Sequence, residues 1–266
     1  MNNIDIKNAH YWDYVCGTEF AKKIANIRDV SVNSIHIFDQ AYMDFYPYLR
    51  GYIPDDIYGK KVLEIGLGFG TLGSLLLSMG ANYYGMDIAK NPVRLMQYRL
   101  SLAGKNEKRA FTGSVLDIPF AENSCDYVFS IGCIHHTGKI QLAVNEIHRV
   151  LRPGGKVIVS VYYRYSTQQI LIAPLIRLLR ENPTERLKAR YDSDYKGKPP
   201  PYTEYLSRHQ VKKLFGTFSE VKIDVQNFHG IKNKLYRSMR RFCLKNIARI
   251  VGLDLYISAK KADLPF

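Results

Sequence analysis

Val62-Leu63-Glu64-Ile65-Gly66-Leu67-Gly68-Phe69-Gly70-Thr71 is the stretch from which the fold is read. An apolar run of strand length stops at three glycines spaced two apart. Leu72-Gly73-Ser74-Leu75-Leu76-Leu77 then predicts a helix that ends near Gly80. Glycines in such a loop permit positive φ and leave room for a ligand to lie against the backbone. Tyr83-Tyr84-Gly85-Met86-Asp87 is a second strand, and Asp87 closes it 19 residues after Gly68. A carboxylate at that point of a strand–loop–helix–strand unit can accept both hydroxyls of a ribose. Together the loop and the acid predict an adenosine-containing ligand at the carboxyl end of the strands.

The same alternation continues outward. A helix is expected over Pro92–Leu102, a weak third strand at Ala110–Thr112 and a fourth at Asp126–Ile131. A helix over Ile140–Val150 and a fifth strand at Lys156–Val161 follow. Strands and helices that alternate through short loops give parallel strands with crossover helices, hence a doubly wound α/β sheet. Past residue 162 the regularity lapses. Gln169–Arg180 is an apolar helix, and 182–205 is turn-rich and aromatic, which predicts a cap inserted after strand five. Ser207 is placed to N-cap a helix ending near Gly216. Strands at Val221–Val225 and Leu255–Ala259 close the sheet around a helix over about 232–251. Four segments result: a helical, aromatic lead-in over 1–54, a nucleotide-binding core over 55–165, the cap over 166–205, and a C-terminal completion over 206–266.

The glycine loop has two registers. Gly68, Gly70 and Gly73 fit a dinucleotide fingerprint, but that register begins beyond the strand end and leaves Glu64 and Gly66 without a task. Read from the strand end, Glu64, Gly66, Gly68 and Gly70 give E-x-G-x-G-x-G, which resembles motif I of class I S-adenosylmethionine (SAM)-dependent methyltransferases. Gly113–Phe120 is similar to that family's loop that packs on adenine, with Ser114 where many members carry Asp. Ser130–Thr137 resembles its motif after strand four, and Ile147–Gly155 its helix and turn before strand five. The resemblance covers about residues 60–163.

It implies a Rossmann-like, mostly parallel seven-stranded sheet with an N-terminal lid and a cap. It further implies SAM as cofactor, S-adenosyl-L-homocysteine as product, and contacts from Glu64, Gly66, Gly68, Gly70, Asp87, Ile88, Ser114, Val115 and Ser130. In that frame Glu64 faces the cationic amino-acid end of the ligand or caps the backbone. His135 and His136 follow strand four, where the methyl group would emerge, and an imidazole titrating near neutrality is suited to act as general base. Tyr162 and Tyr165 after strand five, with Tyr202 and Tyr205 from the cap, offer flat faces with polar tips for an acceptor. Tyr11–Thr18 resembles the lid of bacterial relatives, with Trp12 as either lid or core.

The implied reaction is methyl transfer to an O or N nucleophile of a small molecule or biosynthetic intermediate. A tRNA or other RNA methyltransferase is the alternative. An NAD-dependent oxidoreductase in the other glycine register and a non-catalytic SAM-binding protein stand behind it. The 266 residues carry 38 Lys and Arg against 24 Asp and Glu, a formal charge of +14. Seven of the positive charges (Lys232, Lys234, Arg237, Arg240, Arg241, Lys245 and Arg249) fall in 232–251 with no acid among them. Leu235, Met239, Phe242, Ile247 and Ile250 recur there at helical spacing, which predicts an amphipathic helix with its charge outward. The excess therefore marks one helix, where RNA, anionic lipid or a phosphate-bearing acceptor would be sought, and does not make the whole chain a nucleic-acid binder. The apolar helix at 169–180 has three readings: packing against the cap, a homodimer face, or contact with a membrane surface. Cys16, Cys125, Cys133 and Cys243 form no C-x-x-C pair, and Met1–Asp5 is polar. A reduced, cytoplasmic protein with no metal is expected.

Overall fold

In the computed structural model, which describes residues 3–15, 31–179, 182–194, 196–228, 240 and 242–263, the Val62–Ile65 run lies at the centre of the sheet. The strands are β1 (Lys61–Ile65), β2 (Asn82–Asp87), β3 (Ala110–Thr112), β4 (Cys125–Ile131), β5 (Leu151–Tyr162), β6 (Phe218–Gln226) and β7 (Asp254–Lys261). They are ordered β3-β2-β1-β4-β5-β7-β6 in one seven-stranded sheet. β1 to β5 pair in parallel, and β7 runs antiparallel to both β5 and β6. The chain leaves β1 toward β2 and β3, then returns to the other side of β1 with β4. That reversal opens a crevice at the carboxyl ends of β1 and β4, where α/β sheets of this kind bind ligands.

Two apolar layers cover the sheet. On one face α3 (Thr71–Ser78) and α4 (Lys90–Leu102) bury Leu72, Leu76, Val93, Met96 and Leu100. On the other, α5 (Ile140–Val150) buries Ile140, Ala143, Val144, Ile147 and Val150, a helical stripe, beside Val211 of α8 (Arg208–Leu214) and Phe215 just past its end. Ser207 caps α8 as expected, and its hydroxyl accepts from the Gln210 amide while Gln210 returns the bond to Ser207. At roughly 25 cal/mol per Å² of apolar surface, these two layers supply most of the driving force for the fold.

β5 is longer than its apolar run, because it takes in Leu151-Arg152-Pro153-Gly154-Gly155 through a bulge. Its register against β4 jumps between Cys125 and Tyr127. A Cβ on Gly155 would stand 2.9 to 3.1 Å from three backbone carbonyls, so only glycine fits this crossing. Ahead of the core are α1 (Asn3–Val15) and α2 (Val32–Phe45). Arg99 of α4 holds α2 by a salt bridge of 2.8 Å to Asp39, and Thr71 donates to the same carboxylate. Within the cap, a wide helical turn at Gln168–Ile172 runs into α6 (Ala173–Leu179), and α7 (Pro183–Ala189) adds a helix to the stretch expected as turns. Pro183 opens it at the first helical position, where a missing N–H costs nothing.

The expected amphipathic helix at 232–251 needs correction in the part that is described. Lys232, Lys234, Leu235, Arg237, Met239 and Arg241 lie outside the described residues. Phe242, Ile247 and Ile250 are exposed, and Cys243, Leu244 and Ala248 are buried in their place. The helical run is interrupted by a turn at residues 246–247 before α9 (Ala248–Val251), which shifts its phase. Arg240 turns inward, donating to the Phe45 and Phe228 carbonyls. Among the described residues, no helix is long and apolar enough to cross a membrane.

Candidate functional site

The crevice beyond β1 and β4 is a pocket, and three kinds of local structure build it. The first is the glycine loop. Gly66 and Gly68 border the pocket at φ +85° and +52°. A Cβ on Gly66 would stand 2.6 Å from that of Cys133, while one on Gly68 would meet no protein atom within 4 Å. Gly70 is set back as the N-cap of α3 at φ +82°, with the Arg99 side chain against it. The loop thus presents backbone at Gly66 and Gly68 and packs at Gly70.

The second is the end of β2. Asp87 borders the pocket and is 8% exposed. Its carboxylate accepts from the Leu67 and Ala89 amides, each at 2.8 Å, so it also holds the glycine loop in shape. Burial pushes its pKa up to about 6, against the backbone N–H groups that favour the charged form. Ile88, Ser114 and Val115 border the same end. The Ser114 hydroxyl donates to Asp5 of α1 at 3.3 Å.

The third is the turn after β4 with α1 laid across it. Gly132, Cys133, His136 and Thr137 border the pocket, as do Asp5, Asn8 and Trp12 from α1. Burial and nearby Asp87 push the Cys133 thiol up to about 12, which favours the protonated thiol. Asn8 donates to the His136 carbonyl at 2.7 Å, and the Trp12 ring meets the His136 ring at 4.9 Å. Cys16–Thr18 of the expected lid lie outside the described residues. Trp12, expected as lid or core, borders the pocket, whereas Asp5 and Asn8 were not expected there, although the 5-8-12 spacing marks one face of a helix.

The two histidines divide. His136 faces the pocket, with Nδ1 2.8 Å from the Tyr202 carbonyl. A carbonyl only accepts, so Nδ1 carries the hydrogen and Nε2 is the free nitrogen of the neutral ring. Nε2 lies 3.5 Å from Asp192 of the cap, whose carboxylate also accepts from the Tyr162 hydroxyl. His135 is fully buried and stacks on His136 and Tyr162, at 4.1 and 4.2 Å between centroids. Among the described residues, neither of its ring nitrogens has a hydrogen-bond partner, and burial, with His136 beside it, holds its pKa well below the usual histidine range. His135 is a neutral ring in an aromatic stack, away from the pocket wall.

Of the tyrosines, Tyr162 and Tyr205 stack near His136 at 6.1 Å, while Tyr202 contributes its carbonyl. Tyr165 is half-exposed and packs on Tyr163. Glu64 and Ser130 are buried in β1 and β4 and do not border the pocket. The Glu64 carboxylate accepts from the Tyr83 hydroxyl of β2 at 2.5 Å under Gly73, and burial pushes it up to about 8. Its side chain faces the α3 layer because alternate strand residues point to opposite faces, so the expected approach to a ligand is not what its geometry provides. Cys125, Cys133 and Cys243 are free thiols. Among the described residues, no group of three or more His, Cys, Asp or Glu could hold a metal ion.

A family model described as "Methyltransferase domain" matches residues 63–159, from β1 through the glycine loop to β5. These residues are similar to a methyltransferase domain. Phosphoethanolamine N-methyltransferase 2 of Caenorhabditis elegans is 30% identical over 105 residues, 39% of this chain and 24% of that protein. Demethylmenaquinone methyltransferase of Tropheryma whipplei is 28% identical over 149 residues, 56% of this chain and 58% of its own. The chain thus spans well under two thirds of either relative. A solved structure from Thermotoga maritima, described as a possible histamine N-methyltransferase, shares the fold with a TM-score of 0.55 at 16% identity. That match covers 83% of this chain and 89% of the other. The matched stretch carries every residue bordering the pocket except Asp5, Asn8 and Trp12, which α1 supplies from outside it.

Proposed function

We propose that this chain transfers a methyl group from S-adenosylmethionine to an O or N nucleophile of a small molecule. The observation that carries the reading is His136. It borders the glycine-loop pocket on one side and meets Asp192 and Tyr162 on the other. The pocket's donor set fits an adenosyl ligand. Gly68 leaves a cradle that a Cβ would fill, and Asp87 brings a carboxylate with lone pairs to spare for ribose hydroxyls. Ile88, Val115 and Ser114 would hold the base, and the Gly66 and Gly68 backbone would hold the remainder; Glu64 supports this loop from beneath.

When bound, the cofactor supplies an activated methyl on a sulfonium, and the chain's residues align the acceptor and manage its proton. His136 Nε2 takes that proton as the acceptor's bond to the methyl carbon forms. The Tyr202 carbonyl at Nδ1 holds the ring in that tautomer, and Asp192, 3.5 Å from Nε2, offsets the charge of the imidazolium. Trp12 and α1 cover the pocket and exclude water. The test is incubation of the chain with methyl-labelled SAM and a panel of small hydroxyl and amine compounds, with bulk tRNA as a parallel acceptor. Label in a small compound supports the reading, and label only in tRNA overturns it.

A further inference from the structure

Beyond His136, the carboxyl end of β5 and the start of β7 gather groups that the glycine-loop pocket does not use. Tyr162 stands directly opposite Asp254 in the β5–β7 pairing. Its ring lies 4.6 Å from Tyr191 and 6.1 Å from Tyr205, and those two lie 5.1 Å from each other. With His136 5.8 Å from Tyr162, these rings form an aromatic wall beside the methyltransferase pocket.

Two acids share that wall. Asp192 accepts from Tyr162 and lies 3.5 Å from His136 Nε2. Asp254 is 6% exposed; its Oδ2 accepts from Asn227 at 2.8 Å, and its Oδ1 has no hydrogen-bond partner among the described residues. The acids are within electrostatic reach of each other and of Tyr162, and burial pushes Asp254 up to about 7. Among the described residues, neither forms a salt bridge with lysine or arginine, in a chain where 38 basic residues face 24 acidic ones. Arg190, next to Tyr191 in the chain, donates to Gln168 at 2.7 Å, and Arg240 reaches Asn227 Oδ1 at 3.3 Å. Its guanidinium is otherwise taken up by the Phe45 and Phe228 carbonyls and by the Phe45 ring at 4.0 Å.

A buried carboxylate with no cationic partner is costly, and a wall of ring faces attracts positive charge. A neutral acceptor would use neither property. An ammonium group uses both, because it offsets the carboxylates and lies against the rings. We propose that the Tyr162–Tyr191–Tyr205 wall, with Asp192 and Asp254, binds the ammonium group of an amine acceptor beside His136. This deepens the methyl-transfer reading and rests on it for the word acceptor.

The test is calorimetric titration of the full chain, with and without saturating S-adenosylhomocysteine. The probes are tyramine and benzylamine, against the matched neutral alcohols tyrosol and benzyl alcohol, and tetramethylammonium as a bare cation. The amines bind at least about tenfold more tightly than their alcohols, as a desolvated cation–ring contact predicts. Asp192→Asn and Asp254→Asn each weaken tyramine by about tenfold or more and leave S-adenosylhomocysteine affinity within about twofold. Tyr191→Leu, which removes a ring and leaves both carboxylates in place, weakens the amines and not the alcohols, and it serves if Asp254→Asn fails to fold. Equal affinity for amines and alcohols, no saturable amine binding up to about 10 mM, or wild-type tyramine affinity in both folded Asp variants each overturns the proposal. Absence of S-adenosylhomocysteine binding would instead remove the methyl-transfer reading, and amine selectivity is measured independently of it.

Discussion

Gly68 lies in the left-handed region at φ +52°, borders the pocket, and has no protein atom within 4 Å of the place its Cβ would take. Gly68→Ala therefore carries two separable costs. Left-handed backbone strain in alanine is about 1–2 kcal/mol, which in a chain of this size lowers the Tm by roughly 2–8 °C. The added methyl also stands where the ligand would approach the backbone. Crowding a packed contact by one methyl costs about 1–3 kcal/mol, or roughly 5- to 150-fold in Kd. Gly104 supplies the control, since it has φ +65°, the same open surroundings, and a place after α4 away from the pocket. Gly104→Ala should lose a similar Tm and keep wild-type affinity for S-adenosylhomocysteine. Thermal melts and calorimetry on both variants measure the two costs separately. Wild-type affinity in a folded Gly68→Ala, or an equal affinity loss in Gly104→Ala, would refute the reasoning that the ligand lies against Gly68.

Asp87→Asn should weaken S-adenosylhomocysteine by about tenfold or more through loss of the charged ribose acceptor. In the wild type, affinity should be flat above about pH 6 and fall as pH drops through that value, because Asp87 then protonates; a flat profile down to pH 4 would contradict this. Glu64 is raised from 4.5 to about 8 in the fold, so the folded chain holds this proton more tightly than the unfolded one. Its contribution is fully present below pH 4.5 and is lost as pH rises to about 8, a change on the order of a few kcal/mol. Glu64→Gln should remove that slope and be the more stable form at pH 9 in denaturant titrations; equal slopes would remove the assignment. His135→Phe should keep turnover within a few-fold, whereas His136→Gln should lower it by about 100-fold or more with cofactor affinity intact. The reverse order in steady-state assays would exchange the two roles.

Much of the sheet was legible because its signals are local. The short apolar runs, the glycine stops and the stripe of α5 each lie within a dozen residues, and all appear where expected. Asp87 was legible for the same reason, as the last residue of a strand after a glycine loop. What the sequence concealed is long-range. Glu64 looks like a ligand contact until the neighbouring strand brings Tyr83 over its carboxylate. Asp192 and Asp254 lie 62 residues apart, and only the β5–β7 pairing and the cap bring them to Tyr162. The bulge at Gly154-Gly155 hides five residues of β5, since Pro and Gly read as turn. The phase of the C-terminal helix was misread because a turn at 246–247 breaks the period on which the reading relied.

The central claim is that the pocket formed by Gly66, Gly68, Asp87 and His136 is built for an adenosyl sulfonium cofactor. Calorimetric titration of the chain with S-adenosylhomocysteine and, separately, with NAD tests it most directly. Saturable one-to-one binding of S-adenosylhomocysteine is expected, and none of NAD. Saturable binding of NAD with no response to S-adenosylhomocysteine would contradict it.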